Sequence, residues 1–311
     1  MKTLEELRSY YINILWPELR VLEEERKKSL NKIIISALII IPLSAFLTYV
    51  LTHPFPIIFG VLGVIGANWL FTREYVSNFK TGIIEKIVTC VDDNLKYSKS
   101  SYIPQSTFAS GKIFKQRIDR YRGDDHVQGT LGQTEVEFSE IHAQYVTRDS
   151  KGNRHYHTIF KGLFFVADFN KEFKGTTIVL PDVAEKMFGG LGAMFQSWNK
   201  GRGQLVKLED PEFEKMFVVY GEDQIEPRYI LSTSLMRRIT DFKKKTKRQI
   251  HLSFIGSHIF IAISYRRDLF EPRIFRTLLS FVPIQQYFED LQLAVGIVED
   301  LNLNTRIWSK Q

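Results

Sequence analysis

No Asp, Glu, Lys or Arg occurs between Ile33 and Phe71, and this gap constrains the chain more than any other feature. It holds two apolar runs, Ile33–Leu51 and Ile57–Phe71, joined by His53-Pro-Phe-Pro56. As helices at about 1.5 Å per residue, the first run reaches roughly 28 Å, close to the hydrocarbon thickness of a bilayer. The second is shorter and reaches that length only by recruiting Pro54–Pro56. Neither run has a polar face, which argues against a soluble helix pair and for a transmembrane hairpin. Pro42 predicts a kink in the first helix. Gly60, Gly63 and Gly66 predict close helix approach.

The basic residues around the runs predict the orientation. Arg26, Lys27, Lys28 and Lys32 precede the first, and Arg73, Lys80 and Lys86 follow the second, whereas the connecting turn carries only His53. The positive-inside rule places both termini in the cytoplasm. The apolar run starts too late for a cleaved leader. A single cysteine, Cys90, fits a reducing compartment.

Around this anchor the sequence predicts cytoplasmic N-terminal helices over 1–32, the hairpin over 33–71, a stalk helix over 72–97, a linker over 98–110 and an α+β domain over 111–311. Leu4, Leu7, Tyr11 and Ile14 fall at helical spacing, with a break at Pro17; Phe79 through Leu95 repeats an apolar stripe over Glu74–Tyr97. Past residue 111, Thr134–Phe138, Ile141–Thr147, His155–Phe169 and Thr176–Leu180 read as an antiparallel meander, with turn chemistry at Arg148–Asn153. Val183–Lys200 reads as an interrupted helix. Gln204–Leu208, Phe213–Tyr220, Ile250–Ile255 and His258–Tyr265 read as strands, and Leu231–Lys247 and Pro283–Leu301 as helices. The predicted architecture is a mainly antiparallel sheet or small barrel with packed helices.

Several motifs resemble the bacterial domain-of-unknown-function 3137 family. They are Glu137-Phe-Ser-Glu-Ile-His142, His155-Tyr-His-Thr-Ile-Phe-Lys-Gly-Leu-Phe-Phe165, Asp168-Phe-Asn-Lys171, Val179-Leu-Pro-Asp182, Leu208-Glu-Asp-Pro-Glu-Phe213, Val218-Val-Tyr220 and Arg228-Tyr-Ile-Leu231. The hairpin ahead of them fits that family's layout, and the likeness extends over nearly the whole chain. Glu226-Pro-Arg228 departs from an expected Glu-Ala-Arg. The resemblance implies no particular activity. Members accompany LemA-family membrane proteins, so it implies such a protein as a partner, by analogy alone.

Candidate chemistry is sparse. His155 and His157 stand two apart on a strand and share a face, a spacing that can chelate a metal, with His126 and His142 as further ligands. Surface or cross-strand packing explains the pair as well. Cys90, on a helix without a histidine near it in sequence, reads as a packing residue. Gly189-Gly-Leu-Gly192 and Gly201-Arg-Gly203 lack the ending of a P-loop and read as turns. Glu135, Glu137 and Glu140 read as a solvated strand face. The sharpest electrostatic feature is Arg237, Arg238, Lys243, Lys244, Lys245, Lys247 and Arg248, seven cations with Asp241 alone among them. Within a basic chain of net charge +7, they predict contact with anionic headgroups or a partner rather than nucleic acid, since no aromatic platform adjoins them.

The reading is a membrane-tethered cytoplasmic domain that binds a partner protein or anionic lipid and performs no catalysis, with no cofactor. The alternatives are a metal-assisted hydrolase at His155 and His157, and a homo-oligomer assembled through the Leu4–Leu22 and Phe79–Leu95 stripes.

Overall fold

A computed structural model describes residues 4–169, 171–182 and 203–304. The chain forms two compact units: Met1–Val91 with Phe270–Glu289, and Asp92–Leu269 with Asp290–Gln311.

Two long helices, Trp16–Leu51 and Phe55–Phe79, dominate the first unit. Thr52 ends the first in the left-handed conformation at φ 55°, and Pro54 and Pro56 open the second. These prolines suit the position because the first helical turn needs no N–H partner. The helix runs unbroken through Pro42. The break expected at Pro17 is a π-helical segment, Tyr11–Leu15, between Leu4–Tyr10 and the long helix. Widening that turn accommodates a proline that cannot bond back to the residue four before it.

Both helices are long and apolar enough to cross a membrane, and only 6% of the most apolar window of each is buried. Of the three hairpin glycines, one is tight: a Cβ at Gly60 would lie 2.5 Å from the Ser44 hydroxyl. At Gly63 it would meet Ile40 at an ordinary 3.6 Å, and Gly66 faces open space.

Beyond the apolar runs the helices pack with the segment Phe270–Glu289 through polar groups. Glu23 and Arg26 form a buried ion pair at 2.7 Å. Arg26 donates to the Ile274 carbonyl at 2.6 Å, and Glu23 accepts from the Leu278 amide at 2.9 Å. The Arg26 guanidinium holds the Glu23 carboxyl below its ordinary range. Lys80, itself buried, pairs with Glu271 at 2.7 Å. The stripes proposed for oligomerisation are mostly packed inside this unit: Leu7, Leu15, Leu19, Phe79, Ile83 and Ile87 are buried.

The helix predicted to run to Tyr97 passes through a π-helical turn at Lys80–Ile84 and stops at Val91. Leu95–Ser98 is instead strand β1. Among the described residues, eight further strands complete one sheet: β2 (Arg120–Leu131), β3 (Thr134–Arg148), β4 (Arg154–Asp168), β5 (Thr176–Pro181), β6 (Gln204–Val206), β7 (Phe217–Gly221), β8 (Ile250–Ile255) and β9 (His258–Ser264). Their spatial order is β1-β2-β3-β4-β9-β8-β5-β7-β6, and every neighbouring pair is antiparallel. The sheet is open, so the small barrel is excluded. Two expected strands, Thr134–Phe138 and Ile141–Thr147, are parts of β3, and residues 213–216 of the expected Phe213–Tyr220 strand fall in the helix Pro211–Glu214 and its exit.

The central strands bury both faces, which explains the unbroken apolar run Leu163–Ala167 in β4. On one face Phe160, Phe164, Val166, Phe260 and Ala262 pack with Ile103, Phe108 and Ile113. The segment expected to be a linker thus holds the helix Gln105–Ser110 and supplies core side chains. Phe108 and Phe164 lie 4.7 Å apart between ring centroids. On the other face Leu163, Phe165, Leu252, Phe254 and Ile261 are buried. Helices Thr233–Thr246 and Phe281–Asp300 match the two expected in this half. The expected helix Val183–Lys200, with Gly189, Gly190 and Gly192, and the turn residues Gly201 and Arg202 lie outside the described residues.

Candidate functional site

The basic segment folds as a helix for physical reasons visible in it. Ser232 caps the first turn by accepting from the Leu235 amide, and Lys243, Lys244 and Lys245 sit in the last turn, where cations favour the helix dipole. Leu235, Met236, Ile239 and Phe242 are its buried side. Lys247 ends it in the left-handed conformation at φ 54°.

Most of the seven cations have partners within this unit. Arg238 donates to the carbonyls of Glu299 and Asp300, the last turn of the closing helix. Lys245 pairs with Asp300 at 2.7 Å and Lys244 with Glu212 at 2.6 Å. Lys243 donates to the Arg248 carbonyl, and partial burial lowers its pKa. Arg248 stacks 3.8 Å over the Tyr265 ring. Among the described residues, Arg237 and Lys247 are exposed and make no ion pair. The Lys244–Glu212 pair is half-exposed on both sides and therefore weak. The surface this helix offers to an anion is Arg237, Lys244 and Lys247.

The histidines do not converge. His155 and His157 share a face of β4, as their spacing predicts, but each has a different neighbour. The exposed His155 contacts Asp149 at 3.3 Å. His157 stacks on Tyr145, with centroids 4.8 Å apart, and contacts the Thr147 hydroxyl at 2.8 Å. His126 pairs with Glu137 at 3.2 Å, and His142 contacts Thr158 at 3.1 Å. Burial, with Lys161 and Arg120 near, keeps the His142 pKa below its ordinary value. Cys90 is buried among the helices of the first unit.

Glu135 and Glu137 fit the solvated-face reading; Glu140 does not. It is 6% exposed and accepts a hydrogen bond from the Leu269 amide at 2.9 Å. Its odd offset from Glu135 and Glu137 puts it on the opposite face of β3. Burial pushes its pKa up to about 8, with Asp124, Asp268 and Asp125 adding to the rise and the Leu269 bond opposing it.

Two of the open depressions among the described residues lie beside the predicted site residues or bring charges together. One, of about 540 Å³, includes Lys96, Glu135, Glu137, Asp168 and His258. The other, of about 760 Å³, lies where β2, β3 and β4 project furthest and is lined by Arg117, Arg120, Arg148, Arg154 and Tyr156. These arginines went unnoticed in the sequence because 37 positions separate the first from the last; strand register brings Arg120, Arg148 and Arg154 together, and Arg117 lies just ahead of β2.

Residues 158–303 match the family model described as "Protein of unknown function (DUF3137)". No curated protein is similar to the chain. A solved structure, the mycobacterial trehalose monomycolate transport factor A, TtfA, aligns with a TM-score of 0.33 at 9% identity, over 67% of this chain and 92% of that one.

Proposed function

We propose that this chain, whose residues 158–303 match the DUF3137 family model, is tethered to the bacterial inner membrane by its hairpin and binds rather than catalyses on the cytoplasmic side. The observation that carries the tether is a ring of interfacial side chains. Lys32 sits 5.7 Å over Phe71, and Arg73 sits 5.7 Å over Trp69, at the open end of the two helices. Tyr49 and Phe55 are exposed near the closed end. From Lys32 to Thr52 a helix rises about 30 Å, the thickness of a bilayer core. Aromatic and basic residues at one end, aromatic residues at the other and apolar side chains facing outward between them are what a bilayer selects.

Single-cysteine labelling tests the topology. In a Cys90→Ser background, Thr52→Cys is expected to react with an impermeant maleimide in intact spheroplasts, and Ser101→Cys only after permeabilisation. The reverse pattern rejects the orientation.

The binding half of the reading rests on Arg237, Lys244 and Lys247, each contributing roughly 1 kcal/mol beside an anionic surface. The full chain in phosphatidylcholine nanodiscs is expected to capture phosphatidylglycerol vesicles. Reversing these three cations to Glu should weaken capture more than tenfold, and unchanged capture removes lipid as the target. A LemA-family membrane protein stays the proposed protein partner, on family analogy.

A further inference from the structure

The arginine-lined hollow on the β2–β3–β4 projection has no role in that reading. Four guanidinium groups share it with one carboxylate, Asp119, a net charge of +3. Asp119 is already engaged: one oxygen accepts from Arg117 Nε at 3.0 Å and the other from the Val146 amide at 2.9 Å. Arg148 and Arg154 stand directly opposite one another across the hairpin. Like charges in that register destabilise a strand pair, so an anion between them would relieve a repulsion the fold otherwise keeps. Arg120 lies 5.4 Å over the Tyr156 ring, and Tyr156, Arg154 and Arg148 share one face by strand alternation. Gln116, also in the wall, has a buried side-chain oxygen with no hydrogen-bond partner among the described residues.

We propose that this hollow is a binding site for a phosphate-bearing ligand. Arginine forks bind phosphate oxygens in pairs, and a net +3 suits a dianion better than a lone carboxylate. The half-exposed Tyr156 would meet the group that carries the phosphate, its ring covering an uncharged body. At about 760 Å³ the hollow has room for more than a bare phosphate, and because it is open it would leave part of the ligand in solvent. The phosphate could belong to a soluble phosphoester or to a lipid headgroup, since the chemistry recognised is the same.

The site stands apart from the basic helix, so the two can fail separately. The full chain in neutral detergent is titrated calorimetrically with inorganic phosphate and with glycerol 3-phosphate. In phosphatidylcholine nanodiscs it is offered phosphatidylcholine vesicles with and without phosphatidylglycerol. Saturable binding of glycerol 3-phosphate identifies a soluble phosphoester, and vesicle binding that requires phosphatidylglycerol and is weakened by the arginine variants below identifies a headgroup. In either arm Arg148→Gln with Arg154→Gln is expected to weaken affinity at least about tenfold. Arg237→Gln with Lys247→Gln should leave glycerol 3-phosphate binding unchanged. Should the double arginine variant melt early, Arg120→Lys, which keeps the charge and loses the fork, is expected to weaken binding in its place. Absence of saturable binding in every arm, full affinity in the arginine variants, or binding of polyglutamate with no phosphate compound bound overturns the assignment.

Discussion

Replacing Glu140 by Gln is expected to stabilise the sheet unit at neutral and alkaline pH and to change little in mild acid. The folded-state pKa of this carboxyl, about 8, lies above the ordinary carboxylate value. Below that ordinary value both folded and unfolded chains hold the proton, and the group has no effect on folding. As pH rises the unfolded chain releases the proton while the fold keeps it, so stability is lost progressively until pH passes about 8. By pH 7 the loss is on the order of 3 kcal/mol, a large share of the stability of an ordinary domain. Glutamine is neutral throughout, and its oxygen can still accept from the Leu269 amide that Glu140 now engages at 2.9 Å. Denaturant melts of both proteins in neutral detergent between pH 5 and 9 should diverge with rising pH, the variant more stable. Parallel curves would show that Glu140 ionises in the fold at an ordinary pH.

The same residue shows where sequence reasoning loses its hold. The pattern Glu135, Val136, Glu137, Phe138 announces a half-exposed strand, and the next carboxylate is easily added to the solvated set. Its offset of three from Glu137 moves it to the other face, a displacement that the alternation rule alone reveals. Its burial then depends on Leu269, which lies 129 positions away, and no local pattern reports that contact.

Elsewhere the legible parts were those that rest on local physics. An uncharged run of bilayer length declares a hairpin whatever follows it. Asp149 and Gly152 declare a turn: the carboxylate accepts from the Lys151 and Asn153 amides, and Gly152 adopts φ 84°. Strand β2 was missed because Arg120–Leu131 is polar, contains Gly123 and Gly129, and carries a register shift between Asp124 and Val127. A bulge of that kind interrupts the period-two signal that identifies a strand. β1 was missed for the opposite reason: the apolar stripe continues past Val91 to Leu95, and nothing in the spacing marks the helix end. Ser98–Ser110 reads as linker from its polar composition, yet Ile103 and Phe108 suffice to hold it in the core. The arginine hollow belongs to the same class as Glu140. Its members are ordinary surface residues in sequence and become a cluster through the pairing of three strands.

Gly162 carries the other large effect. It lies within the apolar stretch of β4 at φ 149°, a conformation closed to side chains, and a Cβ there would fall 2.1 Å from the Ile263 carbonyl oxygen and 2.7 Å from the Tyr265 amide nitrogen. Both obstacles are backbone, the first in β9 and held by the β4–β9 ladder, the second just past it and held by its hydrogen bond to the Lys161 carbonyl, so neither can rotate away. Gly162→Ala is therefore expected to cost on the order of 3 kcal/mol or more, from strained backbone and a forced separation of two central strands. Gly152→Ala supplies the control. Its φ is also positive, at 84°, but nothing lies within 4 Å of the added carbon. That variant should lose only the conformational part, roughly 1 to 2 kcal/mol. The difference between the two, measured by denaturant unfolding of the full chain in neutral detergent, isolates the clash. Equal losses would mean that β4 and β9 can part at Gly162 without cost, which is incompatible with the ladder that runs from Gly162–Ser264 to Asp168–His258. The larger loss at Gly162→Ala ties the stability of the unit to the centre of its sheet, whereas the arginine-lined projection at the far end of β4 can exchange residues for ligand recognition at little cost to the fold.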